Sequence, residues 1–191
     1  MTLRVFLDAN VLVPITMTDV LLRLATAGLI EPYWSETVLE EVDRALQRVH
    51  PQMSPDKRQT RLEAMTGAFE YATTTVDDET VSGLRLPDPD DRHVLAGAKL
   101  SGATIIVTNN MKDFPASALT VHGIEAMTPD HLLLGLLDSD PERVLDVIRV
   151  TAAATRNPPL SVERVLDSLA RAEASGFARA VRAWLTTDDP A

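Results

Sequence analysis

Cysteine is absent from all 191 residues. That excludes disulfides, thiolate metal centres and a cysteine nucleophile, and it fits a reducing, cytoplasmic setting. Aromatic residues are scarce at 4%, so leucine, valine, isoleucine and alanine must build the core. No apolar run is long enough to span a bilayer, and the amino terminus lacks a charged-then-apolar signal pattern, so no membrane association is expected. Basic residues are also in short supply: 18 Lys and Arg against 28 Asp and Glu leave a net charge of −10. A broad basic face for gripping phosphates is therefore not expected. The balance allows acids gathered at a metal ion with few nucleic-acid contacts, or a basic protein partner. The length is enough for one sizeable core, or for one domain plus an appendage.

The first stretch, Leu3-Arg4-Val5-Phe6-Leu7-Asp8, reads as a buried strand ended by an acid. In open α/β sheets ligands bind beyond the carboxyl ends of strands. Asp8 thus either lines a site or caps the helix that follows. Leu29 to Trp34 reads as a short strand that Pro32 makes an edge or strained one. Ala103 to Thr108 is the clearest strand after the first, with weaker ones at Thr73–Val76 and Ile124–Met127. Between them the periodicity predicts helices at about 19–27, capped by Thr16 or Thr18, at 36–49, capped by Ser35, and at 55–71, opened by Ser54-Pro55. Asp56, Lys57, Arg58, Arg61 and Glu63 predict a solvated face for the last of these, and Asp77-Asp78-Glu79 a polar break.

Glu41 falls on the apolar stripe of Val38, Val42, Ala45, Leu46 and Val49. A carboxylate there is costly unless paired, hydrogen-bonded or bound to a cation, or unless it snorkels to solvent. In Leu86-Pro87-Asp88-Pro89-Asp90-Asp91-Arg92-His93, Asp91 shares the face of Val94, Leu95 and Ala98 in the helix that follows. Asp88 and Asp90 suit that helix's positive N-terminus. A helix starting one residue later would make Asp90 the inward acid. Asn109-Asn110-Met111-Lys112-Asp113-Phe114 again sets polar oxygens directly after a buried strand, as a turn or as part of a site.

Alternating strands and helices through residue 127 predict an α/β fold, a three-layer α/β/α sandwich on a mostly parallel sheet. From Thr128 the composition changes. Helices are expected at about 129–138, 141–155, 161–173 and 174–186, with a break at Arg156-Asn157-Pro158-Pro159. This divides the chain into an α/β domain, 1–127, and a C-terminal helical extension, 128–191.

In such a sheet Asp8, Glu41, Asp91 and the Asn110/Asp113 loop could meet at one edge. Carboxylates that close do not all ionise without a cation. Oxygen ligands, with no Cys or His in these positions, suit Mg²⁺ or Mn²⁺. Such an ion activates water and polarises a phosphodiester, leaving any of the acids to orient the nucleophile.

Phe-Leu-Asp8-Ala-Asn-Val, Ser-Glu-Thr-Val-Leu-Glu-Glu41-Val, Pro-Asp-Asp91-Arg-His-Val-Leu-Ala and Val-Thr-Asn-Asn-Met-Lys-Asp113-Phe resemble, in order, the four signatures of the PIN domain. The likeness covers roughly residues 1–127 and is nearest to VapC-like toxins of bacterial toxin–antitoxin pairs. It implies a Mg²⁺- or Mn²⁺-dependent endoribonuclease acting on RNA, often tRNA or rRNA. It also implies a small antitoxin protein as partner and, as is usual in the family, a homodimer. Asp8, Glu41 and Asp91 match the metal-holding acids, and Asp113 the acid before Phe. Asn110 stands where many members carry an acid, which removes one negative charge. Asn10 and Thr108 match polar positions that hydrogen-bond the acids. The helical tail resembles the C-terminal extension of larger VapC-like proteins.

Two other readings compete. A haloacid-dehalogenase-like phosphoryl transferase requires an acid two residues after Asp8, where this chain has Asn10. A non-enzymatic acidic interaction module, or a receiver phosphorylated on Asp8, would bind a basic partner and show no metal-dependent cleavage.

Overall fold

Residues 2–154 and 159–187 are described by a computed structural model. Most of the break expected at Arg156-Asn157-Pro158-Pro159 lies outside the described residues. Five strands form one sheet: β1 (Leu3–Leu7), β2 (Ile30–Ser35), β3 (Thr73–Thr74), β4 (Ile105–Val107) and β5 (Glu125–Met127). Their order is β3-β2-β1-β4-β5 and every pairing is parallel. Helices flank the sheet, as the alternating pattern requires: parallel neighbours need crossovers, and the crossovers here are helical. Among the described residues no helix is long and apolar enough to cross a membrane.

The strand order places β1 at the centre. The chain winds outward through β2 and β3 on one side, then returns to β4 and β5 on the other. The carboxyl ends of β1 and β4 therefore meet at a topological switch point, where the register sets Leu7 opposite Val107. Asp8 and Thr108 are the next residues on each strand.

Helices α1 (Ala9–Leu12), α2 (Ile15–Thr26) and α3 (Glu36–Val49) come from the first half of the chain. Ser35 caps α3, its Oγ accepting from Val38 N at 3.2 Å. Val38, Val42 and Leu46 are buried, whereas Val49 at the frayed end is exposed. Helix α4 (Pro55–Ala68) follows, then the short α5 (Asp78–Ser82), and α6 (Arg92–Ser101) after a 3₁₀ turn over Pro89–Asp91. Helix α6 packs across β1, β2 and β4. Gly97 makes that approach possible: a Cβ there would lie 2.3 Å from Phe6 Cζ. After β4 come a 3₁₀ turn (Met111–Asp113) and the short α7 (Ala116–Leu119).

Several local expectations are corrected. The second strand lies inside the sheet, not at its edge. β3 reaches only Trp34 and Ser35, so Pro32 sits where one side of β2 carries no ladder and a residue without N–H is tolerated. Helix α2 starts at Ile15 with no side-chain cap, and Thr18 Oγ1 instead donates to Leu12 O at 2.8 Å. Helix α4 stops at Ala68 rather than Tyr71, and Asp77-Asp78-Glu79 opens a helix, with Asp77 accepting from Thr80 N. Two arginines assigned to a solvated face turn inward. Arg58 is buried, with Nε 2.7 Å from Asp43 Oδ1, and Arg61 donates to Leu12 O at 2.7 Å. Their stems pack apolar surface while their heads find oxygens, which charge counting does not reveal.

The C-terminal helices are α8 (Pro129–Ser139), α9 (Pro141–Ala154), α10 (Val162–Arg171) and α11 (Ser175–Thr187). Their stripes are buried: Leu132, Leu133, Leu136 and Leu137 in α8, Val165, Leu166 and Leu169 in α10, Phe177 and Val181 in α11. They join the same apolar core as the sheet, through α2 packed on α9 and α10. Asp130 in α8 accepts from Phe177 N at 2.7 Å and so caps α11 from another helix.

Candidate active site

Asp8 leaves the end of β1 and its carboxylate is almost fully buried, 6% exposed. It is a helix cap and more than a cap. Its Oδ1 accepts from Ala9 N at 2.7 Å, the bond that starts α1. Its Oδ2 accepts from Asn10 Nδ2 at 2.5 Å and from Thr108 Oγ1 at 2.7 Å. Thr108 Oγ1 also accepts from Asn10 Nδ2 and Asn110 N, and Asn10 Oδ1 accepts from Asn109 N at 3.0 Å. This network ties the two strand ends together across the switch point. Burial pushes the Asp8 carboxyl up from its ordinary value; the Thr108 and Ala9 donors oppose that rise, and the charge of Glu41 adds to it.

Asp91 closes the 3₁₀ turn ahead of α6 and is half-buried, while Asp90 is exposed. Asn110 Nδ2 donates to Asp91 Oδ2 at 3.2 Å. Asn110, at a position where the resemblance implies an acid is common, thus presents an amide donor to the neighbouring carboxylate. Asp91 is pushed up to about 6, by burial first and then by the charges of Asp8, Asp88 and Asp113. Asp88, Asp91 and Asp113 bring carboxylate oxygens within 4.8 Å of one another. Asp88 also caps the 3₁₀ turn, its Oδ1 accepting from Asp90 N at 2.9 Å. Lys112 Nζ is 3.6 Å from Asp113 Oδ2.

Glu41 projects from α3 and is partly buried, with His93 Nε2 3.2 Å from its Oε1. A cleft of about 400 Å³ is lined by Asp8, Asn10, Glu41, Asp91 and Asn110, together with Arg44 and Arg48 of α3. Asp8, Glu41 and Asp91 share that cleft. Asp113 does not line it but stands with Asp91 and Asp88 beside it.

The donor set fits a hard divalent cation. Burial first, and then the charge of neighbouring carboxylates, raises the proton affinity of Asp8 and Asp91, and a dication relieves that repulsion while neutral hydrogen-bond donors hold their orientation. Four participants escaped sequence reasoning. His93 lies two residues past Asp91, a spacing that does not announce its contact with Glu41 on a distant helix. Asp88 reads as a helix-end charge. Arg44 and Arg48 follow Glu41 by three and seven residues, and helical arithmetic alone could have found them.

A family model described as "PIN domain" matches residues 4–112, and one described as "VapC50 C-terminal domain" matches residues 129–183. A protein of Mycobacterium tuberculosis (strain ATCC 25618 / H37Rv) named "Putative ribonuclease VapC50" is 43% identical over 79 residues, which cover 41% of this chain and 47% of that protein. The match spans about half the length of that curated relative.

Proposed function

From the premise that this chain belongs to the PIN domain family, we propose that it is an endoribonuclease dependent on Mg²⁺ or Mn²⁺ and the toxin of a toxin–antitoxin pair. The observation that carries this reading is the meeting of Asp8, Glu41 and Asp91 in one cleft at the switch point of the sheet. Asp8, Glu41, Asp91 and Asp113 are the residues assigned to hold the metal. When bound there, the ion supplies an activated water and polarises the phosphodiester.

The protein's own groups do the rest. Thr108 and Asn10 aim Asp8 by donating to one oxygen, leaving the other free of side-chain donors. Asn110 steadies Asp91, and His93 stands against Glu41. The alternatives find less support. Asn10 donates to Asp8 and cannot act as the second acid of a dehalogenase-like transferase. Asp8 is buried, and both side-chain donors, Asn10 and Thr108, hold one of its oxygens, an arrangement that favours metal holding over a receiver's phospho-acceptor. An antitoxin partner and a tRNA or rRNA target rest on family likeness.

Total RNA incubated with the wild type and Asp8→Asn, with and without Mg²⁺ or Mn²⁺, followed by end-mapping, tests the reading. Defined fragments that need both the metal and Asp8 are expected. Equal cleavage by the variant would sink the assigned site.

A further inference from the structure

The acids explain how a cation is held, but they also make the cleft repel a polyanion. On α3, Glu41, Arg44, Ala45 and Arg48 fall at i, i+3, i+4 and i+7, one stripe along one helix face. All four line the cleft that also holds Asp8 and Asp91. One helix thus presents a carboxylate beside the buried acids and then two guanidinium groups along the cleft wall. A rise of about 1.5 Å per residue puts Arg44 and Arg48 about 6 Å apart along the axis.

Several other arginines are engaged. Arg4 is paired with Glu31, Arg23 with Asp19, Arg58 with Asp43, and Arg182 with Glu163 and Asp167. Arg44 has only the exposed Glu40, at 3.7 Å, a pair worth little in water. Arg48 is exposed and has no ion pair or hydrogen bond among the described residues. Its place in the last turn of α3 also complements the helix dipole. That explains Arg48 alone, and neither Arg44 nor their shared cleft wall. In a chain with ten more acids than bases, 28 against 18, two available guanidinium groups beside the carboxylates are a local exception to the overall charge. Guanidinium matches phosphate oxygens with paired donors and stays charged at any working pH.

We propose that Arg44 and Arg48 bind backbone phosphates of the RNA flanking the bond to be cut, and so position the substrate against the carboxylates. This inference rests on the ribonuclease reading above and assigns where along the cleft the strand lies. It predicts a small electrostatic footprint of about two phosphates, in keeping with the absence of a broad basic face.

The test uses the full chain and a fluorescein-labelled single-stranded RNA, with Ca²⁺ replacing Mg²⁺ so that binding is read without turnover. Anisotropy titrations across a range of salt compare the wild type with Arg44→Ala, Arg48→Ala, the double variant and Arg149→Ala, an exposed arginine of α9. Each cleft substitution should weaken binding on the order of tenfold and lower the salt slope by about 0.7. Arg149→Ala should do neither. Lysine at positions 44 and 48 should restore the slope more fully than the affinity. With Mg²⁺, the alanine variants should raise KM and leave kcat within about twofold. Both side chains are exposed, so thermal midpoints should fall by no more than a few degrees, the loss of the helix-dipole complement at Arg48 included. A double alanine variant that binds and cleaves like the wild type overturns the phosphate assignment and leaves the ribonuclease reading intact. A wild type that neither binds nor cleaves RNA overturns both.

Discussion

Replacing Asp91 by Asn should make the metal-free protein more stable. Asp91 is pushed from an ordinary 3.8 to about 6 by burial and by the charges of Asp8, Asp88 and Asp113. Its folded-state proton affinity exceeds that of the unfolded chain, so stability falls as pH rises between those two values and the full cost is present above about pH 6. At about 1.36 kcal/mol for each factor of ten in proton affinity, the ceiling is about 3 kcal/mol. Asp91 is only half-buried, and solvent screening brings this to about 1–2 kcal/mol. Asparagine carries no charge and keeps an oxygen for the Asn110 amide. At roughly 2–4 °C per kcal/mol for a chain of this size, Asp91→Asn in EDTA at about pH 7.5 should melt about 2–8 °C above the wild type. The gap should close as the pH falls toward about 4. Adding Mg²⁺ should raise the wild-type midpoint and leave the variant's nearly unchanged, because a ligand stabilises only the state that binds it. Scanning calorimetry at several pH values with EDTA or Mg²⁺ reads all of this. A variant that melts below the wild type at neutral pH in EDTA, or a gap that ignores pH, would refute the account of crowded carboxylates.

Two further outcomes concern packing. Gly97→Ala drives a methyl group to 2.3 Å from Phe6 Cζ, at a strand–helix contact where Phe6 is fully buried. Overpacking of about 1–3 kcal/mol outweighs the gain of about 1 kcal/mol in helix propensity, and a lower urea midpoint with an unchanged m-value is expected. A more stable Gly97→Ala would show that Phe6 moves aside freely. Asp130→Ala removes the oxygen that accepts from Phe177 N, and should cost about 1–2 kcal/mol as lost caps do. Hydrogen exchange localised to the start of α11 would report it; uniform loss of protection across the sheet would contradict a local cap.

The two clearest strands were readable because Val5–Leu7 and Ile105–Val107 are apolar runs buried in the sheet, although Leu3 and Arg4 at the start of β1 are exposed, and Ser35 marked the start of α3 because its side chain does there what its chemistry favours anywhere. The tail helices followed from period, and α8 and α9 also from proline at their first positions. Pro32 misled because edge status depends on how far β3 extends, a tertiary fact. Arg58 and Arg61 misled because a charged residue's burial depends on which oxygens wait inside, here Asp43 and the carbonyl of Leu12. At the site, the motif order pointed to Asp8, Glu41, Asp91 and Asp113, and each came with a local rival reading as cap, flank or turn. Asp8 proves to cap α1 and to line the cleft at once.

By itself, the order of residues determined most of the segments that form strands and helices, and that oxygen chemistry without thiols is available at the strand ends. Only the tertiary structure decided that His93 stands against Glu41, that Asp88 joins Asp91 and Asp113, and that Asn110 donates to Asp91 rather than repelling it. The reason is one of range. Backbone preference and apolar periodicity act over a few neighbouring residues, whereas the field at a carboxylate is set by groups tens of residues away that the sheet's winding brings within a few ångströms.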